Sequence, residues 1–339
     1  MGRGVVCFGE LLLRLNAPGR EFLLQSGQLD VHVGGAEANV AVSLATFGHS
    51  ASVVTILPDN PLGIAARAAL RRYGVGTEQV RLVAGGRIGL YFMATGAGHR
   101  PSQIVYDRRD SAFALSAPDL VDWTAATAGA QWLHVSGITP ALGPGPAAAT
   151  LRAVRSARER GLLVSFDCNY RAQLWQAWKS DPARSLRELL EHADLAFADG
   201  RALALVLQQD AARLAPPDRF REAAELAFAA FPNLQHVATT LRTEHSVDHH
   251  EISAVMASRT QVHSTRTYSL DGIVDRIGSG DAFAAGVLHG RLSGLEAQET
   301  LDFAVAAACL KHSIRGDVNL ATVADVHHLL SEHGFAVRR

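Results

Sequence analysis

The chain has 339 residues, of which 48% are hydrophobic and 19% are charged. This composition is typical of a globular protein with a large core and excludes extensive disorder. The net charge of −1 offers no basic surface for nucleic acid, and no apolar stretch is long and uncharged enough to span a membrane. We expect residues 1–339 to form one large α/β domain with a small appendage.

The cysteines and the N-terminal run point to an intracellular setting. Cys7, Cys168 and Cys309 are odd in number, widely spaced and in apolar surroundings, which argues against disulfides and against a zinc site. A reducing cytoplasm is therefore expected. The apolar run at residues 5–13 is interrupted by Glu10 and lacks a small-residue cleavage site, so it predicts a first buried strand rather than a signal peptide.

After about residue 50, short apolar or β-branched runs alternate with helical patterns. The predicted strands are 53–57, 132–135, 162–166, 195–198 and 236–241. The predicted helices are 62–73, 147–160, 186–192 and 221–231. This alternation predicts a mainly parallel sheet covered by helices.

Two segments, 22–33 and 88–106, break this alternation. In the second, Tyr91 and Met93 alternate with more deeply apolar neighbours, as in a half-buried strand. We interpret the two as a small β-sheet lid, formed by approximately residues 11–33 and 87–107, that covers a functional site.

The segment with the clearest chemistry is 275–283, Asp-Arg-Ile-Gly-Ser-Gly-Asp-Ala-Phe, which leads into an Ala-rich helical pattern. A small-residue turn at a helix start exposes backbone N–H groups, and with the helix dipole these form an anion site. Asp281 at this position can accept the proton of an incoming hydroxyl. An isolated Gly-Asp pair is more often only a turn and an N-cap, so the surrounding sequence must decide.

Residues 275–283 resemble the second signature of the PfkB, or ribokinase-like, carbohydrate kinases. Residues 34–41, Gly-Gly-Ala-Glu-Ala-Asn-Val-Ala, resemble the first. There, Gly34 and Gly35 allow close approach to a ligand, and Asn39 offers both a donor and an acceptor to a sugar hydroxyl. The resemblance covers nearly the whole chain. It implies a ribokinase-like three-layer α/β/α domain that uses ATP and Mg²⁺, with a monovalent cation left open.

Within the family, the chain is similar to 2-keto-3-deoxygluconate kinases at residues 96–101, 106–108 and 166–171. The resemblance implies that Asp281 is the catalytic base, assisted by Gly278, Ser279, Gly280 and Arg171. The implied substrate contacts are Gly34, Gly35, Asn39, Tyr91, Tyr106, Arg108, Arg171, Asp281 and Asp317. The implied nucleotide contacts are Asn169, Arg171, Thr240, Gly278, Ser279 and Gly280.

An acid sugar carries a carboxylate, which the guanidinium group of Arg108 or Arg171 can bind through two hydrogen bonds. Considered alone, Arg108 would more often form a surface salt bridge with Asp107, Asp110 or another acid. Considered alone in the same way, Tyr91 and Tyr106 would only pack against neighbouring strand residues. The alternatives to a 2-keto-3-deoxygluconate kinase are a fructokinase, another sugar kinase of the family, or a non-catalytic sugar-binding relative.

Relatives usually carry Asn-Glu-x-Glu after the strand that ends near Ala198, where this chain has Asp199-Gly200-Arg201-Ala202. Mg²⁺ is often held mainly by phosphates and water, so phosphoryl transfer does not require that element. No metal ligand is assigned. The lid is also expected to expose apolar surface that a second copy covers, which predicts a homodimer.

Overall fold

The computed structural model describes residues 4–176 and 178–331. The strands are β1 (Gly4–Phe8), β2 (Leu12–Asn16), β3 (Asp30–Gly34), β4 (Ala51–Pro58), β5 (Val80–Val83), β6 (Gly89–Ala94), β7 (Gln103–Asp107), β8 (Ala130–Ser136), β9 (Leu163–Asp167), β10 (Leu195–Phe197), β11 (His236–Glu244), β12 (His249–Ser258), β13 (Val262–Ser264) and β14 (Tyr268–Asp271).

The helices are α1 (Ala36–Thr46), α2 (Pro61–Arg72), α3 (Trp123–Ala126), α4 (Ile138–Ala141), α5 (Pro144–Glu159), α6 (Ala172–Trp175), α7 (Pro182–Leu190), α8 (Gly200–Leu207), α9 (Ala211–Leu214), α10 (Phe220–Ala230), α11 (Ser279–Ser293), α12 (Ala297–Lys311) and α13 (Val323–Leu330), with a 3₁₀ turn at Pro217–Arg219. Within the described ranges, no helix is long and apolar enough to cross a membrane.

The main sheet has the strand order β13-β12-β11-β10-β9-β8-β1-β4-β5, and β14 also pairs with β12. Every pairing from β5 to β11 is parallel, whereas β12 runs antiparallel to its neighbours. The predicted strands after residue 50 all lie in the parallel part. The predicted fold class, a mainly parallel sheet with a small second sheet, is confirmed.

Helices cover both faces of this sheet because successive strand residues point to opposite sides. In β1, Val6 and Phe8 enter a core that also contains side chains of α5, α7, α8 and α10. Val5 and Cys7 enter a second core, with side chains of α1, α2, α11, α12 and α13. The result is a three-layer α/β/α arrangement.

The predicted helix 186–192 begins earlier in the structure, at Pro182. The Asp181 side chain caps it by accepting a hydrogen bond from the Arg184 N–H at 3.1 Å, and proline is favourable in a first helical turn. The cap, rather than the apolar spacing, therefore decides where this helix starts.

The second sheet has the order β3-β2-β6-β7. Leu12, Tyr91 and Met93 form its small core, against which Tyr106 and Ile277 pack. Because Ile277 belongs to the segment 275–283, this sheet contacts the predicted chemical site. Its role as a lid stays a prediction.

The predicted single strand at residues 5–13 is wrong, because it divides into β1 and β2, which belong to different sheets. The break begins at Gly9, where a Cβ atom would stand 2.0 Å from Glu37 Oε2. Glu10 then points inward to form a buried ion pair with Arg108. The close approach of a helix side chain and this ion pair end the first strand.

Candidate active site

The two signature segments meet at the starts of α1 and α11. Gly35 precedes α1, and Gly278, with a left-handed φ of 82°, precedes α11. Asn39 Nδ2 donates a hydrogen bond to Asp281 Oδ2 at 2.7 Å, and both side chains are buried. Two helix N-termini from opposite ends of the chain therefore converge on one carboxylate.

The turn before α11 has the geometry of an anion site. The first α-helical hydrogen bond runs from the Ala282 N–H to the Gly278 carbonyl at 2.9 Å, so the N–H groups of Gly280 and Asp281 precede the helical ladder. A Cβ atom on Gly280 would meet no heavy atom within 4 Å, whereas one on Gly278 would lie 1.9 Å from the Asp317 carbonyl oxygen. The turn is thus packed at Gly278 and open at Gly280.

Burial raises the pKa of Asp281 to about 8. The hydrogen bond from Asn39 acts in the opposite direction, while the charges of Asp167, Glu37 and Asp317 raise the pKa further. A carboxylate with a pKa near the working pH can both accept and release a proton, which suits a general base.

Two of these acidic neighbours, Glu37 and Asp167, were given no role by the sequence, although both lie inside recognised motifs. Glu37 Oε1 accepts hydrogen bonds from Ser136 Oγ at 2.6 Å and Thr139 Oγ1 at 3.0 Å. Burial raises the pKa of Asp167 to about 6, opposed by the nearby charge of Arg171. Their effect on Asp281 depends on tertiary proximity and has no local sequence signal.

Asn169 and Arg171 follow Asp167 at the carboxyl end of β9. The Asn169 N–H donates to Asp167 Oδ1 at 3.0 Å. The Arg171 side chain is exposed, and its only hydrogen bond within the described part of the chain goes to the Tyr170 carbonyl at 3.3 Å. The Arg171 guanidinium therefore lies beside the acidic groups and is accessible to a ligand.

Gly34, Tyr91 and Asp317 meet on the side of the small sheet. The Tyr91 hydroxyl donates to Asp317 Oδ2 at 2.7 Å, and a Cβ atom on Gly34 would stand 2.3 Å from the same oxygen. Arg14, which sequence reasoning missed, is 1% exposed and pairs with both Asp317, at 3.0 Å, and Asp275. Its signal was a lone charge within the apolar stretch 12–15.

Arg108 is a buried side chain rather than a partner of Asp107 or Asp110 on the surface. Its Nε donates to Glu10 Oε2 at 2.6 Å, while Asp107 pairs with Arg87. The Tyr106 ring lies 6.2 Å from the Tyr91 ring, measured between centroids. Tyr91 and Tyr106 thus lie side by side on the small sheet, and Arg108 is already held by Glu10.

On the other side of the α11 turn, Thr240 and Ala238 share a face of β11, and Ala238 packs in the core with α11 and α12. Lys311 is fully buried at the end of α12, where its Nζ donates to the Ile314 carbonyl at 2.7 Å. Its Cε would lie 3.5 Å from a Cβ on Gly278. This lysine, one of only two in the chain, also escaped the sequence prediction.

Asp199, the residue at the altered Asn-Glu-x-Glu position, caps α8 by accepting a hydrogen bond from the Ala202 N–H at 2.8 Å. Across residues 4–176 and 178–331, no group of three or more His, Cys, Asp or Glu side chains could hold a metal ion. The site nevertheless fits Mg²⁺ bound mainly by nucleotide phosphates and water, because such binding needs only one or two protein carboxylates.

An open helix start beside a buried carboxylate, at the carboxyl edge of a parallel sheet, suits phosphoryl transfer to a hydroxyl. The sequence pattern of the pfkB family carbohydrate kinases matches residues 3–322, and the chain belongs to this family. It is therefore a carbohydrate kinase, and the predicted resemblance is confirmed. The family implies ATP and a sugar as substrates.

Several carbohydrate kinases are similar to this chain over nearly its whole length. A 2-dehydro-3-deoxygalactonokinase from Haloferax volcanii is 32% identical, covering 96% of each chain. The solved structure of 2-dehydro-3-deoxygluconokinase from Thermotoga maritima has a TM-score of 0.91 and 38% identity, covering 97% of this chain and 99% of that one. A PfkB family carbohydrate kinase from Listeria grayi has a TM-score of 0.90 and 35% identity, covering 97% and 100% respectively.

Proposed function

We propose that the protein transfers the terminal phosphoryl group of ATP to the primary 6-hydroxyl of 2-keto-3-deoxygluconate. The observation that carries the chemistry is the Asn39–Asp281 contact, which holds a carboxylate with a raised pKa at the open start of α11. The names of the similar Thermotoga maritima and Thermoproteus tenax proteins, both 2-dehydro-3-deoxygluconokinases, support the substrate.

In this mechanism, Asp281 accepts the hydroxyl proton as the substrate oxygen bonds to the γ-phosphorus, and the bond from that phosphorus to the ADP oxygen breaks. The backbone of residues 278–281, in which the N–H groups of Gly280 and Asp281 precede the helical ladder, stabilises the charge on the transferring group. Mg²⁺ would neutralise charge on the β- and γ-phosphates when bound with the nucleotide. Positioning by the protein supplies much of the remaining acceleration.

The substrate would lie between Asp281 and the small sheet, which we propose acts as a lid. The proposed substrate contacts are Gly34, Gly35, Asn39, Tyr91, Tyr106, Arg108, Arg171 and Asp317. The proposed nucleotide contacts are Asn169, Arg171 and Thr240, together with the 278–280 turn. The exposed Arg171 guanidinium supports an acid substrate, since it is available to a carboxylate.

A second candidate substrate is 2-keto-3-deoxygalactonate, favoured by the 32% identical Haloferax volcanii relative. The two sugars differ in the configuration of one hydroxyl and carry the same carboxylate. Arg171 would therefore serve both, and contacts to the sugar hydroxyls would decide between them.

The test is ATP consumption with 2-keto-3-deoxygluconate, 2-keto-3-deoxygalactonate, fructose and ribose. We expect an acid sugar to be the best substrate. Arg171→Gln should lower kcat/KM for acid sugars by ~10–10²-fold, the scale of a lost charge-assisted hydrogen bond, and more than for neutral sugars. The matched control is Arg184→Gln, because Arg184 is exposed on α7.

An equal loss with fructose and ribose would contradict the role of Arg171 in binding the carboxylate. A wild-type protein that turns over no sugar, yet is stabilised against heat by one, would favour the non-catalytic binding protein instead. Preference for fructose would favour the fructokinase alternative, which a 31% identical Klebsiella pneumoniae fructokinase represents among the relatives.

We also propose a homodimer formed through the small sheet. The strand registers place Val31, Leu15, Phe92 and Val105 in one row across its four strands. Arg14, the partner of Asp317, lies on the opposite face, because neighbouring strand residues alternate. Val31 is 60% exposed and Val105 53% exposed, so a second copy could cover this apolar row.

Size-exclusion chromatography with light scattering at micromolar concentration should show a dimer, and Val105→Asp should shift it to monomer. Ile64→Asp, which places the same charge on exposed apolar surface of α2, should leave the dimer intact. Wild-type protein that is entirely monomeric under these conditions would exclude this interface.

A further inference from the structure

Arg242 lies on the face of β11 that also carries Ala238 and Thr240. This face points towards α11 and α12, because Ala238 packs in the core with both helices. Arg242 Nη2 donates a hydrogen bond to Ser279 Oγ at 3.0 Å. Since Ser279 is the first residue of α11, the Arg242 guanidinium lies directly at the open helix start.

The Arg242 side chain is partly buried, and it forms no ion pair within the described ranges. The nearby acid Glu244 is occupied, because it pairs with Arg276 at 2.8 Å. Burial lowers the pKa of Arg242, and the positive charge of Arg276 lowers it further. The charge of Glu244 acts in the opposite direction, but the only side-chain acceptor that the described residues give Arg242 is the Ser279 hydroxyl, which leaves other N–H donors of the guanidinium available.

Two other buried cations near this turn, Arg14 and Lys311, already have acceptors. Arg14 is held by Asp275 and Asp317, and Lys311 Nζ donates to the Ile314 carbonyl. Arg242 therefore combines a position at the helix start with donor groups that an anion can still use. A helix N-terminus and an unpaired guanidinium favour the same ligand, an oxyanion.

We propose that Arg242 is a further nucleotide-binding residue that contacts the β- and γ-phosphates of ATP at the start of α11. This inference rests on the proposed kinase function and adds a side-chain contact to its backbone anion site. Arg242 and Ser279 then hold the phosphates from the β11 side, opposite the carboxylate of Asp281. The adenosine part of the nucleotide takes no part in this contact, so the contribution of Arg242 to affinity comes from the phosphates alone.

Calorimetric binding of ADP and AMP, together with steady-state kinetics, tests the inference. Arg242→Gln should weaken ADP binding by ~10–10²-fold and raise KM for ATP similarly, because a charge-assisted hydrogen bond is lost. AMP binding and the KM for the sugar should change little. Arg242→Lys should recover part of the ADP affinity, since it restores the charge without the fork.

The matched control is Arg291→Gln. Arg291 lies in the last turn of α11, and its charge acts on His236 at the first residue of β11. Arg242 lies near the end of β11 and Ser279 at the start of α11. The control removes a positive charge of the same kind at the other end of both elements. It should leave ADP affinity unchanged.

If Arg242→Gln keeps the wild-type ADP affinity and KM for ATP while the enzyme remains active, this inference is wrong and the proposed function stands. If ADP and AMP lose affinity equally, Arg242 acts by supporting the fold of the site rather than by contacting the phosphates, and the inference is again wrong. If the wild-type protein neither binds ADP nor consumes ATP, both proposals fall together.

Discussion

Replacing Asp281 with asparagine is expected to lower kcat by ~10²–10⁴-fold, the usual scale of general-base catalysis. Asparagine has nearly the same shape and can still accept the hydrogen bond from Asn39 Nδ2, but its amide cannot take the hydroxyl proton. ATP consumption at saturating ATP and sugar measures this loss. The KM for the sugar should change much less than kcat.

Glu188→Gln is the control, because it makes the same carboxylate-to-amide change in a surface ion pair on α7. It should retain full activity. A loss below tenfold in Asp281→Asn would show that positioning and the anion site account for the rate without a base at this position.

The pH profile gives a second readout of the same residue. Because the pKa of Asp281 is raised to about 8, the free enzyme holds its proton below that pH and lacks the base. The value of kcat/KM, which reports free-enzyme groups, should therefore fall about tenfold per pH unit below about pH 8. A flat profile between pH 6 and 9 would contradict the assignment.

The raised pKa also has a consequence for stability. The folded state binds this proton more tightly than the unfolded chain, in which the carboxyl has its ordinary pKa of 3.8. The contribution of Asp281 to stability is thus fully present below pH 3.8 and is lost progressively as the pH rises through about 8. Asp281→Asn should remove this dependence.

Arg14→Met is expected to lower the free energy of unfolding by ~3–5 kcal/mol, the cost of breaking a buried ion pair. Methionine fills most of the space, but Asp275 and Asp317 then lose the guanidinium that pairs with both of them. Burial already raises the pKa of Asp317, and Arg14 opposes this effect. Urea unfolding followed by circular dichroism measures the change.

Arg184→Met is the control, since its ion pair with Glu188 is exposed and such pairs contribute no more than about 0.5 kcal/mol. Adding Asp275→Asn to Arg14→Met should recover part of the lost stability, because it removes one of the two unpaired charges. Equal losses in Arg14→Met and Arg184→Met would show that the buried cluster is not held by charge.

Much of the fold was predictable because its signals are local. The parallel strands follow from short apolar runs between helical patterns, whereas the start of α7 was placed four residues too late because the capping signal of Asp181 before Pro182 was not used. The site around Asp281 was predictable for a similar reason. Gly278 to Asp281 is a contiguous segment, and a turn with these small residues implies an exposed helix start wherever it lies in the fold.

The prediction failed where distant residues decide the structure. The run 5–13 is apolar throughout except for Glu10, so its pattern gives no sign that Gly9 must make room for Glu37. The buried partner of Arg108 had no local signal either, because Glu10 is 98 residues away, whereas Asp107 and Asp110 are near in sequence. The substrate contact expected of Arg108 stays a prediction.

The sequence by itself therefore determined the layered α/β architecture, the family and the segment that starts α11, since periodicity and contiguous motifs encode them. Only the tertiary structure decided which charges face one another. Arg14 meets Asp317 across 303 residues and Asn39 meets Asp281 across 242. Both the pKa of Asp281 and the unpaired state of Arg242 depend on burial and on charges brought together by folding, which no local pattern contains.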